Sequence, residues 1–574
     1  MIFSLFISSI ANQSTLKSNR HRSRSKIAHL GSYIALGALQ VVCSLGLIGY
    51  WTKKAVAAEE IVLSYGALEF PVSIKSLETY ATTGKIEGEL ASYAGFLTPE
   101  QLQKFKVGLT TSADFDHLAI AQFLYSFQGE KILDRVSKVI KTKARQPGFY
   151  AIRSALILAA ADAEDGGLTP LNVLKKFPTK ILRIDSRQGL EIIKDLSQVV
   201  KGNQRAIAAV QAEATKESQL AVTAPKTINS DLLSPGKYSY RKELLTMKDS
   251  RRDDPSGRSR ERTFPVELYL PKVKNRQPLP LIIISHGLGS DLTTFAYFAK
   301  HLASHGFAVA VPEHPGSSAR QIQALLNGLV RDVTPPKELI DRPLDIKFVL
   351  DYIARNYGKK IDTNNVGMIG QSFGAYTALA IAGAELNWQT LNRDCTNLDD
   401  SWNLSLLLQC LALQIPVVET GVNLRDERIK AAVAINPLTS SVFGEQGLSK
   451  IKIPVMLVSG SADPVTPSLS EQIIPFTWLK TPKKYLVLLE GGTHFSTLNE
   501  SAGSIPVPPQ AIGPDPKIAQ GYVKQLGLAF FSTYITNEPT YAQYLNAQYG
   551  SIISKPAMPL SLIEFLDSES LQLN

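Results

Sequence analysis

The sequence has little of what metal and redox centres are made from. Its 574 residues include only three cysteines and eight histidines. The chain contains no C-x-x-C pair and no H-E-x-x-H motif, and its histidines are scattered. Because structural and catalytic metal sites draw on closely spaced Cys and His ligands, the sequence predicts no metal and no cofactor.

Acidic residues are absent from the first 58 positions, which hold seven Lys and Arg. The whole chain has a net charge of +10, so the remainder carries only +3. The basic balance therefore belongs to the leader and does not indicate a nucleic-acid partner.

The same leader has the composition of a targeting segment. Basic residues at positions 17–26 precede an apolar run at 34–51 and an A-x-A-like stretch at 55–58. This order is typical of a secretory signal peptide. An uncleaved anchor is the alternative, since the apolar run approaches the length of a spanning helix. Both interpretations predict an exported body, periplasmic or extracellular, and the second adds membrane association through residues 1–58.

Cysteine is nearly absent from the body of the chain. Beyond Cys43 in the apolar run, only Cys395 and Cys410 remain. Two cysteines in an exported chain predict a disulfide between them.

The first part of the body has a helical pattern. Residues 59–201 carry apolar side chains at spacings of three and four, and Thr98-Pro99 and Thr169-Pro170 are helix-start signals. We expect an all-α domain here. The polar, alanine-rich residues 202–235 are predicted to be a helix tail and linker.

The period of the pattern changes near residue 236. Two strand-like segments, 238–247 and 262–270, indicate an antiparallel hairpin. Apolar strands then alternate with helices as far as residue 489, which predicts a mostly parallel sheet covered on both faces. Residues 387–424 interrupt this alternation. We interpret them as a lid or cap, and a plain surface excursion with one buried helix is the alternative.

The stretch Gly370-Gln371-Ser372-Phe373-Gly374 lies between a short apolar strand and an alanine-rich helix. It fits the G-x-S-x-G nucleophile elbow, in which glycines permit a sharp turn that presents the serine. Ser372 is therefore the predicted nucleophile.

A serine hydroxyl needs a base, and the base needs an orienting carboxylate. His494 is the only histidine after Ser372, and it follows the last apolar strand. Asp463 lies in the turn after the preceding strand, which makes it the predicted acid. Asp399, Asp400 and Asp426 are poorer candidates because they lie in or beside the insertion.

The transition state of ester cleavage also needs hydrogen-bond donors for an oxyanion. The amide of Phe373 follows the nucleophile. The glycine-rich loop Ser285–Ser290 supplies Leu288 as the second predicted donor, and His286 is expected to shape that loop.

The order of these elements is that of the α/β-hydrolase fold. The motifs His286-Gly-Leu-Gly289, Glu313-His314 and Gly370–Gly374 resemble those of the type II platelet-activating-factor acetylhydrolases and of related dienelactone-hydrolase-like esterases. The resemblance covers residues 238–531. It implies calcium-independent cleavage of a short or oxidised acyl ester, with Ser372 and His494 in catalysis. The combination with a helical domain also resembles a cyanobacterial-type architecture.

One position departs from that family. Its acid follows the strand after the nucleophile helix, where this chain has Asn436. Asp463, one strand later, is the position that most other α/β-hydrolases use.

The sequence thus predicts an exported serine esterase acting on a small-molecule or lipid ester, with residues 236–574 as its catalytic domain. An amidase or peptidase using the same triad is the enzymatic alternative. A non-catalytic binding protein that retains the hydrolase fold is the alternative from another class.

Overall fold

A computed structural model describes residues 57–571 except 114, 163, 165, 221–230, 254–260, 275–276, 397, 399–400, 417–420 and 500–511. The predicted signal or anchor segment lies almost entirely outside the described residues. The chain forms two units, of which the first comprises residues up to His117 with Val136–Arg187 and the second comprises Leu118–Arg135 with Gln188 onwards. None of the helices in the described ranges combines the length and apolar composition needed to cross a membrane.

The first unit is not all helical, and the prediction of an all-α domain is wrong on this point. It contains a four-stranded sheet in the order β2-β1-β4-β3. The two-residue turn at Gly66, where φ is 62°, lets β1 fold back onto β2 as a hairpin. These strands are short and lie among helices, so the helical periodicity of the surrounding sequence hides their alternating pattern. Up to Asp185 the elements of the chain are β1 (Glu60–Tyr65), β2 (Leu68–Ser73), α1 (Ile74–Thr83), α2 (Glu89–Ala94), α3 (Pro99–Thr110), α4 (His117–Leu124), α5 (Phe127–Val139), β3 (Ile140–Lys141), α6 (Phe149–Ala161), α7 (Pro170–Lys175) and β4 (Ile181–Asp185). Of these, most of α4 and α5 belongs to the second unit.

The helix starts predicted from Thr-Pro pairs are present. Thr98 and Thr169 cap α3 and α7 by accepting hydrogen bonds from the amides of Gln101 and Asn172. A cap of this kind typically contributes about 1 kcal/mol to helix stability.

The second unit is built on a nine-stranded sheet in the order β13-β12-β11-β10-β9-β7-β8-β6-β5. Strands β7 to β12 pair in parallel, while the hairpin β5–β6 and the edge strand β13 are antiparallel. This confirms the predicted α/β-hydrolase fold class. The strands are β5 (Tyr240–Asp249), β6 (Arg262–Pro271), β7 (Leu279–Ser285), β8 (Ala308–Pro312), β9 (Ile361–Gln371), β10 (Ile429–Ile435), β11 (Val455–Gly460), β12 (Lys484–Leu489) and β13 (Leu560–Ile563).

Helices cover both faces of this sheet. On β7, Ile282 and Ile284 face one buried cluster, while Leu281 and Ile283 face another. Because side chains alternate along a strand, a fully apolar strand must be covered on both sides. The helices are α8 (Ser186–Leu220), α9 (Ala296–Ser304), α10 (Ala319–Leu326), α11 (Glu338–Tyr357), α12 (Phe373–Ile381), α13 (Trp388–Thr396), α14 (Leu406–Gln409), α15 (Gly444–Leu448), α16 (Ile474–Trp478), α17 (Pro516–Tyr534) and α18 (Ala547–Ile553).

Helix α8 differs from the linker expected after residue 201, because it continues to Leu220. Ala206 and Val210 are fully buried in the core of the second unit. The Asn203 side chain accepts hydrogen bonds from the Ser468 hydroxyl (2.7 Å) and the Leu469 amide (3.1 Å). The alanine-rich composition that suggested a linker reflects close helix packing instead.

The insertion at 387–424 is fixed to the body of the second unit. Cys395 and Cys410 form a disulfide in the structure. Glu471, which is fully buried, accepts hydrogen bonds from the Ser405 hydroxyl (2.9 Å) and from the side-chain Nε2 of Gln409 (3.0 Å) in the insertion. A buried carboxylate requires such donors, and here they attach the insertion to the segment after β11. Its function as a lid stays a prediction.

Candidate active site

Ser372 lies at the turn between β9 and α12. Its φ and ψ are 55° and −119°, a backbone conformation that residues other than glycine rarely adopt. The turn is held by the Ser372 amide, which donates to the Ile435 carbonyl of β10 at 2.8 Å. Such strain persists only where the surrounding structure enforces it, and it occurs preferentially at functional sites.

The two glycines of the motif are required by close main-chain approach. A Cβ on Gly370 would lie 2.0 Å from the Gly374 carbonyl oxygen. A Cβ on Gly374 would lie 2.0 Å from the Ser285 carbonyl oxygen at the end of β7. The elbow therefore packs directly against the strand that leads into the Ser285–Ser290 loop.

Asp463 and His494 are brought together as the sequence suggested. The Nδ1 atom of His494 is 2.7 Å from Oδ2 of Asp463, and both residues are buried. The other carboxylate oxygen accepts hydrogen bonds from the amides of Val465 (2.7 Å) and Thr466 (2.8 Å). Asp463 is thus held in one orientation, with Oδ2 left for the imidazole.

Three neighbours of this pair were not predicted from the sequence. The Thr466 hydroxyl donates to Asp463 Oδ2 at 2.8 Å and lies 3.3 Å from His494 Nδ1. The Gln371 side chain donates to the His494 carbonyl at 3.0 Å, which connects the residue before Ser372 to the histidine loop. Asn436, with φ of 46°, donates to the Thr493 carbonyl at 3.3 Å. Of these three neighbours, only Thr466 has a signal in the sequence, because it is a threonine three residues after an aspartate in a turn.

The loop Ser285–Ser290 lies against the elbow. A Cβ on Gly287 would be 2.4 Å from Gln371 Oε1 and 3.3 Å from Ser372 Cβ. Within the described ranges, neither the Leu288 amide nor the Phe373 amide donates a hydrogen bond to another residue. Both predicted donors therefore have an N–H without an acceptor among the described residues, and their role in an oxyanion site stays a prediction.

The imidazole of His286 fixes the shape of this loop. Its Nε2 accepts a hydrogen bond from the His314 amide at 3.0 Å, so Nδ1 carries the proton and donates to the Gly287 carbonyl at 2.7 Å. Full burial lowers the pKa of His286 well below its usual value, and the nearby Arg342 guanidinium adds to this effect. The ring is therefore neutral and serves as a fixed support rather than as a proton carrier.

Electrostatics at the elbow favour negative charge. Ser372 is the N-cap residue of α12, where unpaired amides and the helix dipole give a partial positive charge. An alkoxide or tetrahedral oxyanion formed at Ser372 would develop at this position.

Parts of the chain are similar to known proteins. The family described as alpha/beta hydrolase of unknown function (DUF1400) matches residues 57–185, and the family described as platelet-activating factor acetylhydrolase, isoform II, matches residues 265–340. A platelet-activating factor acetylhydrolase of Canis lupus familiaris is 28% identical over 171 residues, which cover 23% of this chain and 37% of the relative. The chain thus spans little more than a third of the curated relative that it matches. Ser372, Asp463 and His494 lie outside both family matches, so their assignment depends on the geometry.

Proposed function

Because the chain is an α/β-hydrolase related to the platelet-activating factor acetylhydrolases, we propose that it is a serine esterase. Ser372 attacks the carbonyl carbon of a carboxylic ester, His494 moves the proton, and Asp463 orients His494. The observation that carries this proposal is the buried Asp463–His494 contact of 2.7 Å at the same sheet edge as the strained Ser372.

The reaction follows the roles that such a triad has in acyl transfer. His494 takes the proton of the Ser372 hydroxyl as its oxygen bonds to the carbonyl carbon. The carbonyl oxygen becomes an oxyanion, for which the Leu288 and Phe373 amides are the available donors. When the carbon–oxygen bond to the leaving alcohol breaks, the alcohol takes the proton from His494. Water then attacks the acyl-Ser372 ester in the same way and releases the acid.

The substrate in this proposal is an ester with a short acyl chain or of the phospholipid type. The name of the curated relative, an acetylhydrolase, supports a short acyl group. This chain has Asn436 where the acetylhydrolase family has its acid. Recognition of phospholipids therefore has to be tested directly.

The cellular setting is part of the same proposal. The composition of residues 1–58 supports export, either with cleavage or with retention of an anchor. The Cys395–Cys410 pair supports an oxidising compartment. We assign catalysis to residues 236–574, which belong to the second unit.

The test is hydrolysis of p-nitrophenyl esters of increasing acyl length by the full chain. We expect cleavage of the acetate and butyrate, with Ser372→Ala reducing kcat to background. Ser551→Ala, at an exposed position in α18, is the matched control and should retain full activity.

Hydrolysis that survives in Ser372→Ala would refute the assignment of the nucleophile. Inactivity of the wild type on all esters with cleavage of p-nitroanilides would favour an amidase. Inactivity on both, with tight binding of an ester, would indicate a binding protein.

A further inference from the structure

Arg342 is a fully buried arginine in the first half of α11. A buried guanidinium must be hydrogen-bonded to offset its loss of hydration. No carboxylate in the described ranges lies within ion-pair distance of it. The hydrogen-bond partners of Arg342 are instead neutral groups on the two segments that flank Ser372.

The first of these segments is the end of β7 and the loop after it. One terminal nitrogen, Nη2, donates to the His286 carbonyl and to the Ser285 hydroxyl, the latter at 3.2 Å. The other terminal nitrogen, Nη1, donates to the Ser317 hydroxyl at 2.8 Å. Ser317 belongs to the same support, because its carbonyl accepts the Gly289 amide at 2.8 Å. The guanidinium therefore holds both ends of the turn that carries Leu288.

The second segment is the first turn of α12. The Nε atom of Arg342 donates to the Thr377 hydroxyl at 3.1 Å, and that hydroxyl donates to the Phe373 carbonyl at 2.9 Å. The guanidinium carbon also lies 4.5 Å from the centre of the Phe373 ring, within cation–π range. Arg342 thus contacts the residue that supplies the second amide.

We propose that Arg342 is a positioning residue that sets the distance between the Leu288 and Phe373 amides. This inference rests on the proposed esterase function, because it concerns the oxyanion site of that reaction. A flat guanidinium with several donors in a fixed geometry suits this role, whereas a lysine ammonium cannot reach all four acceptors at once.

The test compares Arg342→Met and Arg342→Lys with a matched variant, Arg252→Met. Arg252 is also nearly buried, and its ion pairs within the described ranges are with Asp249, Asp341 and Asp345, outside the two segments that flank Ser372. The measurements are kcat and KM on p-nitrophenyl butyrate, inhibition by an aliphatic trifluoromethyl ketone, and the thermal midpoint of unfolding. The ketone forms a tetrahedral adduct on serine and therefore reports on the oxyanion site.

We expect Arg342→Met to lower kcat by about 10²–10³, the typical loss for one oxyanion donor, with KM changed less than about threefold. Inhibition by the ketone should weaken in proportion to kcat/KM. The kcat of Arg342→Lys should be at least about tenfold higher than that of Arg342→Met, since one ammonium can replace part of the hydrogen bonding. Arg252→Met should lower the thermal midpoint and keep kcat within about threefold of the wild type.

Three results would overturn the inference: an unchanged kcat in folded Arg342→Met, an equal loss of kcat in both methionine variants, or unaltered inhibition by the ketone. If Arg342→Met does not fold, Thr377→Val removes the link from Arg342 Nε through the Thr377 hydroxyl to the Phe373 carbonyl, and it should still lower kcat and ketone affinity together. An inactive wild type would refute the proposed function as well, whereas an active wild type with an insensitive Arg342 would refute this inference alone.

Discussion

Replacing Asp463 with asparagine should abolish most activity while leaving the fold intact. The carboxylate has two distinct sides: Oδ1 accepts the amides of Val465 and Thr466, and Oδ2 faces His494 Nδ1. An asparagine must keep its carbonyl oxygen toward the two amides, because the opposite rotamer would point NH₂ at two N–H donors. Leaving those amides unsatisfied would cost about 1–3 kcal/mol each.

That orientation places the new NH₂ group against the imidazole. It would donate to His494 Nδ1 and force the proton onto Nε2, so the ring could no longer accept a proton from Ser372. The Thr466 hydroxyl does not prevent this, because it can turn to the Asn436 carbonyl at 3.3 Å. A triad with the wrong tautomer loses about 10⁴ in kcat, which corresponds to about 5 kcal/mol of transition-state stabilisation.

The assay is steady-state hydrolysis of p-nitrophenyl butyrate at pH 7.5, with thermal unfolding measured on the same sample. Asp426→Asn is the matched control, because Asp426 also accepts a nearby backbone amide and lies outside the site. We expect the control to retain kcat. A folded Asp463→Asn that keeps more than a tenth of wild-type kcat would show that this carboxylate does not orient the base.

Three further predictions concern packing, the disulfide and protonation. Gly374→Ala should lower kcat by at least about tenfold and destabilise the fold by about 1–3 kcal/mol, because its Cβ would overlap the Ser285 carbonyl; Gly108→Ala, with open space around it, should do neither. Reduction of the Cys395–Cys410 bond should cost about 3 kcal/mol of stability for a separation of 15 residues, and the reductant should have no effect on the double serine variant. Burial lowers the pKa of His301 to about 3, so the unfolded chain takes up a proton below pH 6.5 that the folded chain does not, and stability falls as pH is lowered. His301→Gln should make the free energy of unfolding less dependent on pH between 6.5 and 4, by up to about 1.4 kcal/mol per pH unit; parallel plots of this free energy against pH for the two proteins would contradict this.

The parallel sheet could be predicted because its strands are buried on both faces. Segments such as Leu279–Ser285 and Ile429–Ile435 are mostly apolar, and the structure places strands at these same positions. The position of Ser372 could also be predicted, because glycines on both sides of Gln371-Ser372-Phe373 indicate a tight turn. These are local signals, so a single sequence contains them.

The remaining features depend on contacts distant in sequence. The pairing of β1 with β4 joins residues more than a hundred positions apart, and its short strands lie among helices. The burial of Ala206 arises only because α8 packs against the core of the second unit. Arg342 has the same appearance as any surface arginine of a helix until Ser285, Ser317 and Thr377 are folded around it. The role of a buried polar side chain of this kind can be recognised only once its hydrogen-bond partners are known.

The most direct test of the account is the site of covalent modification by a fluorophosphonate. Full-length protein would be treated with the reagent, digested, and analysed by peptide mass spectrometry beside Ser372→Ala. We predict one modified serine, Ser372, with loss of esterase activity in step with labelling. Labelling of another residue, or full labelling of Ser372→Ala, would contradict the assignment of Ser372 as the nucleophile.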